Sequence, residues 1–96
     1  MKIPKSIKIL GRNYPIKVHH QKDSGNDNIG THWGRYSQIY LNSDVDEQEK
    51  ESTLVHEVIE AINQLQAIGL KHNQIKGLET GIYQVFKENN LKFNRR

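Results

Sequence analysis

The chain has 96 residues, a formal net charge of +3 and no cysteine. That length allows one modest core and excludes a second domain, and without thiolates any metal must be held by His and carboxylates. No run of about 18 apolar residues occurs and the opening MKIPKSIKIL has no apolar stretch of signal-peptide length, so a cytoplasmic chain without membrane contact is expected.

Strand-like punctuation comes first. Ile7, Lys8, Ile9 and Leu10, then Gly11, Arg12 and Asn13, then Tyr14 through Val18 read as two strands around a glycine turn. Pro15 lacks an N–H and argues for an edge position. QKDSGNDNIG, residues 21–30, is polar and turn-rich and reads as a loop. Residues 31–41 alternate, Trp33, Arg35, Ser37, Ile39 and Leu41 against His32, Tyr36, Gln38 and Tyr40, and read as a third strand. The predicted sheet is three-stranded and mostly antiparallel, over residues 1–42.

Asn42, Ser43 and Asp44 offer capping oxygens, and Asp46, Glu47, Glu49 and Glu51 crowd the next turn, where a helix dipole favours acids. A helix over residues 43–68 follows, its apolar arc formed by Leu54, Val55, Val58, Ile59, Ala61, Ile62 and Leu65. Gly69 is the expected terminator, and Asn73 or His72 the expected cap of a second helix over residues 72–90. The apolar stripe of that helix reads Ile75, Leu78, Ile82, Val85 and Phe86. Lys92, Arg95 and Arg96 make residues 91–96 a basic tail. The remaining cations are scattered among acids, which disfavours nucleic acid as a partner. The fold class is α+β, a sheet followed by two packed helices, in a single domain over residues 1–96.

The first helix carries the chemical signal. His56 and Glu60 stand at i and i+4, one above the other, and can aim two donor atoms at one metal ion. Glu57 then lies outside the coordination shell, close enough to act as general base on a metal-bound water, which is the logic of the H-E-x-x-H helix. The competing reading makes His56, Glu57, Glu60 and Asn63 the solvated face of an amphipathic helix.

Glu79 projects about 40° from Ile75 at about 100° per residue, within the stripe expected to be buried. A carboxylate there needs a cation, a route to water, or a metal shared with His56 and Glu60. His72 competes with Glu79 as third ligand, although its place near a helix cap suits a surface residue. His19 and His20 read as surface, Trp33 as core or an aromatic platform, and Tyr36 or Tyr83 as possible electrophiles.

With those residues in hand, THWGRYSQIYLN followed by an acidic capped segment and TLVHEVIEAIN resembles the small zincin-type metallopeptidases over about two-thirds of the chain. It looks like a gluzincin reduced to its minimum, similar to small phage and prophage metallopeptidase-like proteins and more distantly to the ImmA/IrrE and SprT-like groups. The resemblance implies a zincin-like core, His56 as zinc ligand, Glu57 as base and Glu79 as third ligand. It also implies that Tyr36 to Leu41 lie on the strand that faces a peptide or protein substrate, and that a phage-encoded chain works in the host cytoplasm. Glu60 departs from the family's second His. One His and two carboxylates cancel the charge of zinc, lower its Lewis acidity and widen the choice to manganese or iron.

Three functions are compatible with these residues: a zinc-dependent peptidase or amide hydrolase, a catalytically inactive phage-type metal-binding or interaction protein, and a metal-free basic binding domain.

Overall fold

A computed structural model of the chain describes residues 3–20, 30–33 and 38–91. Of the expected loop only Gly30 lies among them, and Tyr36 and the basic tail beyond Leu91 lie outside. The elements are β1 (Ser6–Ile9), β2 (Arg12–His19), β3 (Gly30–Trp33), β4 (Gln38–Asn42), α1 (Glu47–Gln66) and α2 (His72–Glu88). This is the expected α+β arrangement, a mostly antiparallel sheet followed by two packed helices. The segment read as one third strand is two: β3 and β4 pair antiparallel with Trp33 opposite Gln38, and the sheet order is β1-β2-β4-β3.

The β1–β2 hairpin turns through Leu10 (φ 50) and Gly11 (φ 84), both left-handed as a tight hairpin loop requires. Pro15 is not on an edge strand, because β2 pairs β1 through Arg12 to Pro15 and β4 through Ile16 to His19. The Ile16 N–H donates to the Lys5 carbonyl at 2.9 Å, so the alternation of an antiparallel ladder leaves the Ser6–Pro15 pair without hydrogen bonds. Proline is therefore tolerated where β2 passes from one neighbour to the other.

One sheet face is apolar. Ile9, Tyr14, Ile16, Ile39 and Leu41 pack on Leu54 and Ala61 of α1, with Val58 and Ile62 at the margin. On its other side α1 sends Val55 and Ile59 against Ile75 of α2, with Leu70 and Tyr83 beside them. The single apolar arc expected of α1 is thus two faces, and α1 is a middle layer. Leu65 lies exposed beyond both.

Asp46 caps α1, accepting from the Glu49 N–H at 2.8 Å. Asn42, expected as a cap, is instead a buried end of β4 whose Oδ1 accepts from the Asp44 N–H. The helix ends before Gly69: Ala67 turns left-handed (φ 51), and the N–H groups of Ala67 and Ile68 bond back to the carbonyls of Gln64 and Asn63. Helix α2 starts at His72 after Lys71, whose N–H donates to the Gln74 side chain.

The stripe expected on α2 is displaced. Leu78, Ile82 and Val85 are 44%, 38% and 53% exposed, whereas Ile75 and Glu79 are buried and Tyr83 and Phe86 half-buried. The inward face follows Ile75, Glu79, Tyr83 and Phe86, at i, i+4, i+8 and i+11, and His72 at the helix start is exposed. Among the described residues no helix is long and apolar enough to cross a membrane.

Candidate metal centre

The face that α1 turns to α2 carries Glu51 beside Ser52, then His56, Glu60 and Asn63 at successive turns. His56 lies between two carboxylates. Its Nδ1 is 2.9 Å from Glu79 Oε1 on α2, and its Nε2 is 3.3 Å from Glu60 Oε2 one turn along α1. A carboxylate only accepts, so a hydrogen bond from His56 to ionised Glu79 is one in which Nδ1 carries the proton. The Nε2 side faces a second carboxylate, that of Glu60. Glu79 is fixed from behind by the Ser52 hydroxyl, which donates to Oε2 at 2.5 Å.

His72 opens α2 with its ring edge-on to that of His56, centroids 5.6 Å apart. One donor atom each from His56, Glu60 and His72 lie within 4.8 Å of one another, and this is the group among the described residues that can hold an ion. The geometry thus joins His56 to Glu60 as their spacing requires. It brings in His72 from α2, and it sets Glu79 on the far nitrogen of His56. His72 sits there because of the link between the helices: Asn63 Oδ1 accepts from the Leu70 N–H at 2.9 Å, and its Nδ2 donates to the Leu70 carbonyl at 3.3 Å. That two-pronged clamp holds the chain two residues before His72.

Glu57 is 5% exposed, on the turn that bears the donors. Burial, reinforced by the negative charges of Glu60 and Glu79, pushes its pKa up to about 8. In the metal-free protein this carboxyl group therefore holds its proton at neutral pH.

Tyr83 is engaged elsewhere. Its hydroxyl donates to Glu51 Oε1 at 2.7 Å, and its pKa is pushed up to about 12 by burial and by that hydrogen bond. Lys87 Nζ lies 3.9 Å from the same Glu51 oxygen, which makes Glu51, Tyr83 and Lys87 a second α1–α2 contact rather than part of the donor cluster. His20 pairs with Asp44 at 3.3 Å and the His19 ring lies 5.3 Å from that of Tyr40, both away from the cluster in sequence and on the sheet side. The strand β4 that carries Gln38 to Asn42 is paired on both sides, so its edge is not free for an extended peptide, and β3 forms that edge of the sheet.

No family model, no curated protein and no solved structure matches this chain.

Proposed function

We propose that the chain is a divalent-metal hydrolase domain acting on peptide or amide bonds, with zinc, or manganese or iron, held by His56, Glu60 and His72. The observation that carries this reading is the convergence of those three donors from two helices within 4.8 Å. The donor chemistry fits. With His72 rather than a second carboxylate as third donor, the set is two His and one Glu, the composition of catalytic zinc sites, with the carboxylate and one imidazole exchanged in chain order. Such a set leaves a divalent ion one unit positive, so the loss of Lewis acidity expected from Glu60 alone does not arise.

The ion, when bound, supplies Lewis acidity toward water and toward a scissile carbonyl. Glu60 and His72 tie the ion to α1 and α2, and Glu79 orients His56. Glu57 takes the proton from the attacking water and returns it to the leaving amine.

A test is hydrolysis of a peptide library by zinc-loaded protein and by Glu57→Gln. The reading expects Glu57→Gln to keep the metal and lose at least about a hundredfold in turnover, the usual scale of a general base. A second reading is favoured by one observation, that among the described residues the apolar seam between α1 and α2 is small, Val55, Ile59 and Ile75 buried with Leu70 and Tyr83 half-buried beside them. An ion bridging the helices would reinforce that seam in a non-catalytic interaction domain, and metal binding without turnover in either protein would select it.

A further inference from the structure

Serine in the middle of a helix usually faces water or bonds back to the carbonyl one turn earlier. Ser52 does neither. Its hydroxyl crosses to α2 and donates to Glu79 Oε2, while Glu79 Oε1 lies 2.9 Å from His56 Nδ1. Both contacts are largely withdrawn from solvent, with the His56 and Glu79 side chains 15% and 12% exposed. Ser52 stands one turn before His56, so a single carboxylate from α2 spans two successive turns of α1.

From this arrangement we infer that Ser52 and Glu79 are positioning residues, forming a relay that holds His56 with its proton on Nδ1 and the Nε2 lone pair turned toward Glu60 and His72. The inference rests on the metal reading of the site only for its purpose; the contacts among Ser52, Glu79 and His56 are made without a metal. A histidine ligates through the nitrogen that carries no proton, and the hydrogen bond made by the other nitrogen decides which one that is. Glu79 alone leaves its carboxylate free to rotate. The Ser52 hydroxyl occupies the second oxygen, fixes the carboxylate plane and so fixes the imidazole.

The relay also sets the rotation of α2. Glu79 lies seven residues after His72, two turns along the same face, so anchoring it on Ser52 and His56 presents His72 to the cluster. It explains why α2 buries Glu79 and leaves Leu78, Ile82 and Val85 outside.

The test compares wild type, Ser52→Ala, Ser52→Thr and Glu79→Gln, by zinc competition against a chromophoric chelator and by two-bond 1H–15N spectra of the His56 ring in alkaline, chelated buffer. Alanine is the better helix former, so Ser52→Ala should not unfold α1. Zinc affinity should fall about tenfold in Ser52→Ala and about ten- to a hundredfold in Glu79→Gln, and Ser52→Thr should return it to the wild-type value. The ring spectra should show Nδ1 protonated in wild type and in Ser52→Thr, with a mixture of tautomers in the other two. Wild-type affinity together with a wild-type ring spectrum in Ser52→Ala overturns the relay. Should wild type bind no zinc, the metal reading fails and the ring spectra alone judge the relay: a tautomer unmoved by both variants overturns it, and one released by them upholds it.

Discussion

Replacing Asn63 by alanine removes both hydrogen bonds that clamp the inter-helix link, at 2.9 and 3.3 Å to the Leu70 N–H and carbonyl. Each bond contributes about 1 kcal/mol net, and Leu70 is half-buried, so its N–H and carbonyl regain water only in part. A loss of about 2 kcal/mol follows, which for a domain of this size lowers Tm by roughly 10 °C. The same change releases the two residues that lead to His72, so zinc affinity should fall with stability, by about tenfold if ordering the link again costs about 1.4 kcal/mol. Urea melts in chelator measure the first quantity and competition titration the second. A variant within about 0.5 kcal/mol of wild type, with unchanged zinc affinity, would refute the view that the link is a built part of the site.

Other substitutions probe separate steps. Glu57 has a folded-state pKa of about 8 against 4.5 unfolded, so the metal-free fold takes up a proton there. The associated stability is complete below about pH 4.5 and is lost as pH rises through 8, on the order of 5 kcal/mol as an upper bound at 1.36 kcal/mol per pH unit. Glu57→Gln should therefore flatten the decline of stability between acid and alkaline chelated buffer, and an equally steep decline in the variant would contradict the burial account. Ala67→Gly relieves an alanine at φ 51 and should raise stability by about 1 kcal/mol in denaturant melts; a destabilised variant would show the terminator to be unstrained. Tyr83→Phe deletes the hydroxyl on Glu51 and should lower stability by about 1 kcal/mol while leaving zinc affinity intact, since Tyr83 lies outside the donor cluster. A large loss of zinc binding would place it inside.

The order of strands and helices was legible because periodicity reports burial: Tyr14, Ile16, Ile39 and Leu41 alternate, and Leu54, Val58 and Ala61 recur at helical spacing. Pro15 misled because edge avoidance concerns a missing N–H, and here β2 changes partners at that residue. The face of α2 was misread for a related reason. Apolarity favours Leu78, Ile82 and Val85, yet the helix is turned by Glu79 and Tyr83, whose polar groups find Ser52, His56 and Glu51 on α1. The i, i+4 spacing of His56 and Glu60 was sufficient to put them side by side. His72 is exposed, as its place at a helix start suggests, and what the sequence does not show is the Asn63 clamp that folds the link back and brings it beside His56. Ser52 and Asn63 carry no motif, although both lie on the His56 face at i−4 and i+7.

Zinc binding by tag-free protein, titrated alongside His72→Ala and His56→Ala, tests the central claim most directly. One ion per chain in wild type, with affinity lowered at least about a hundredfold in each variant, is the outcome expected of a three-donor site shared by two helices. Binding that survives His72→Ala unchanged, or no stoichiometric binding in wild type, would contradict it.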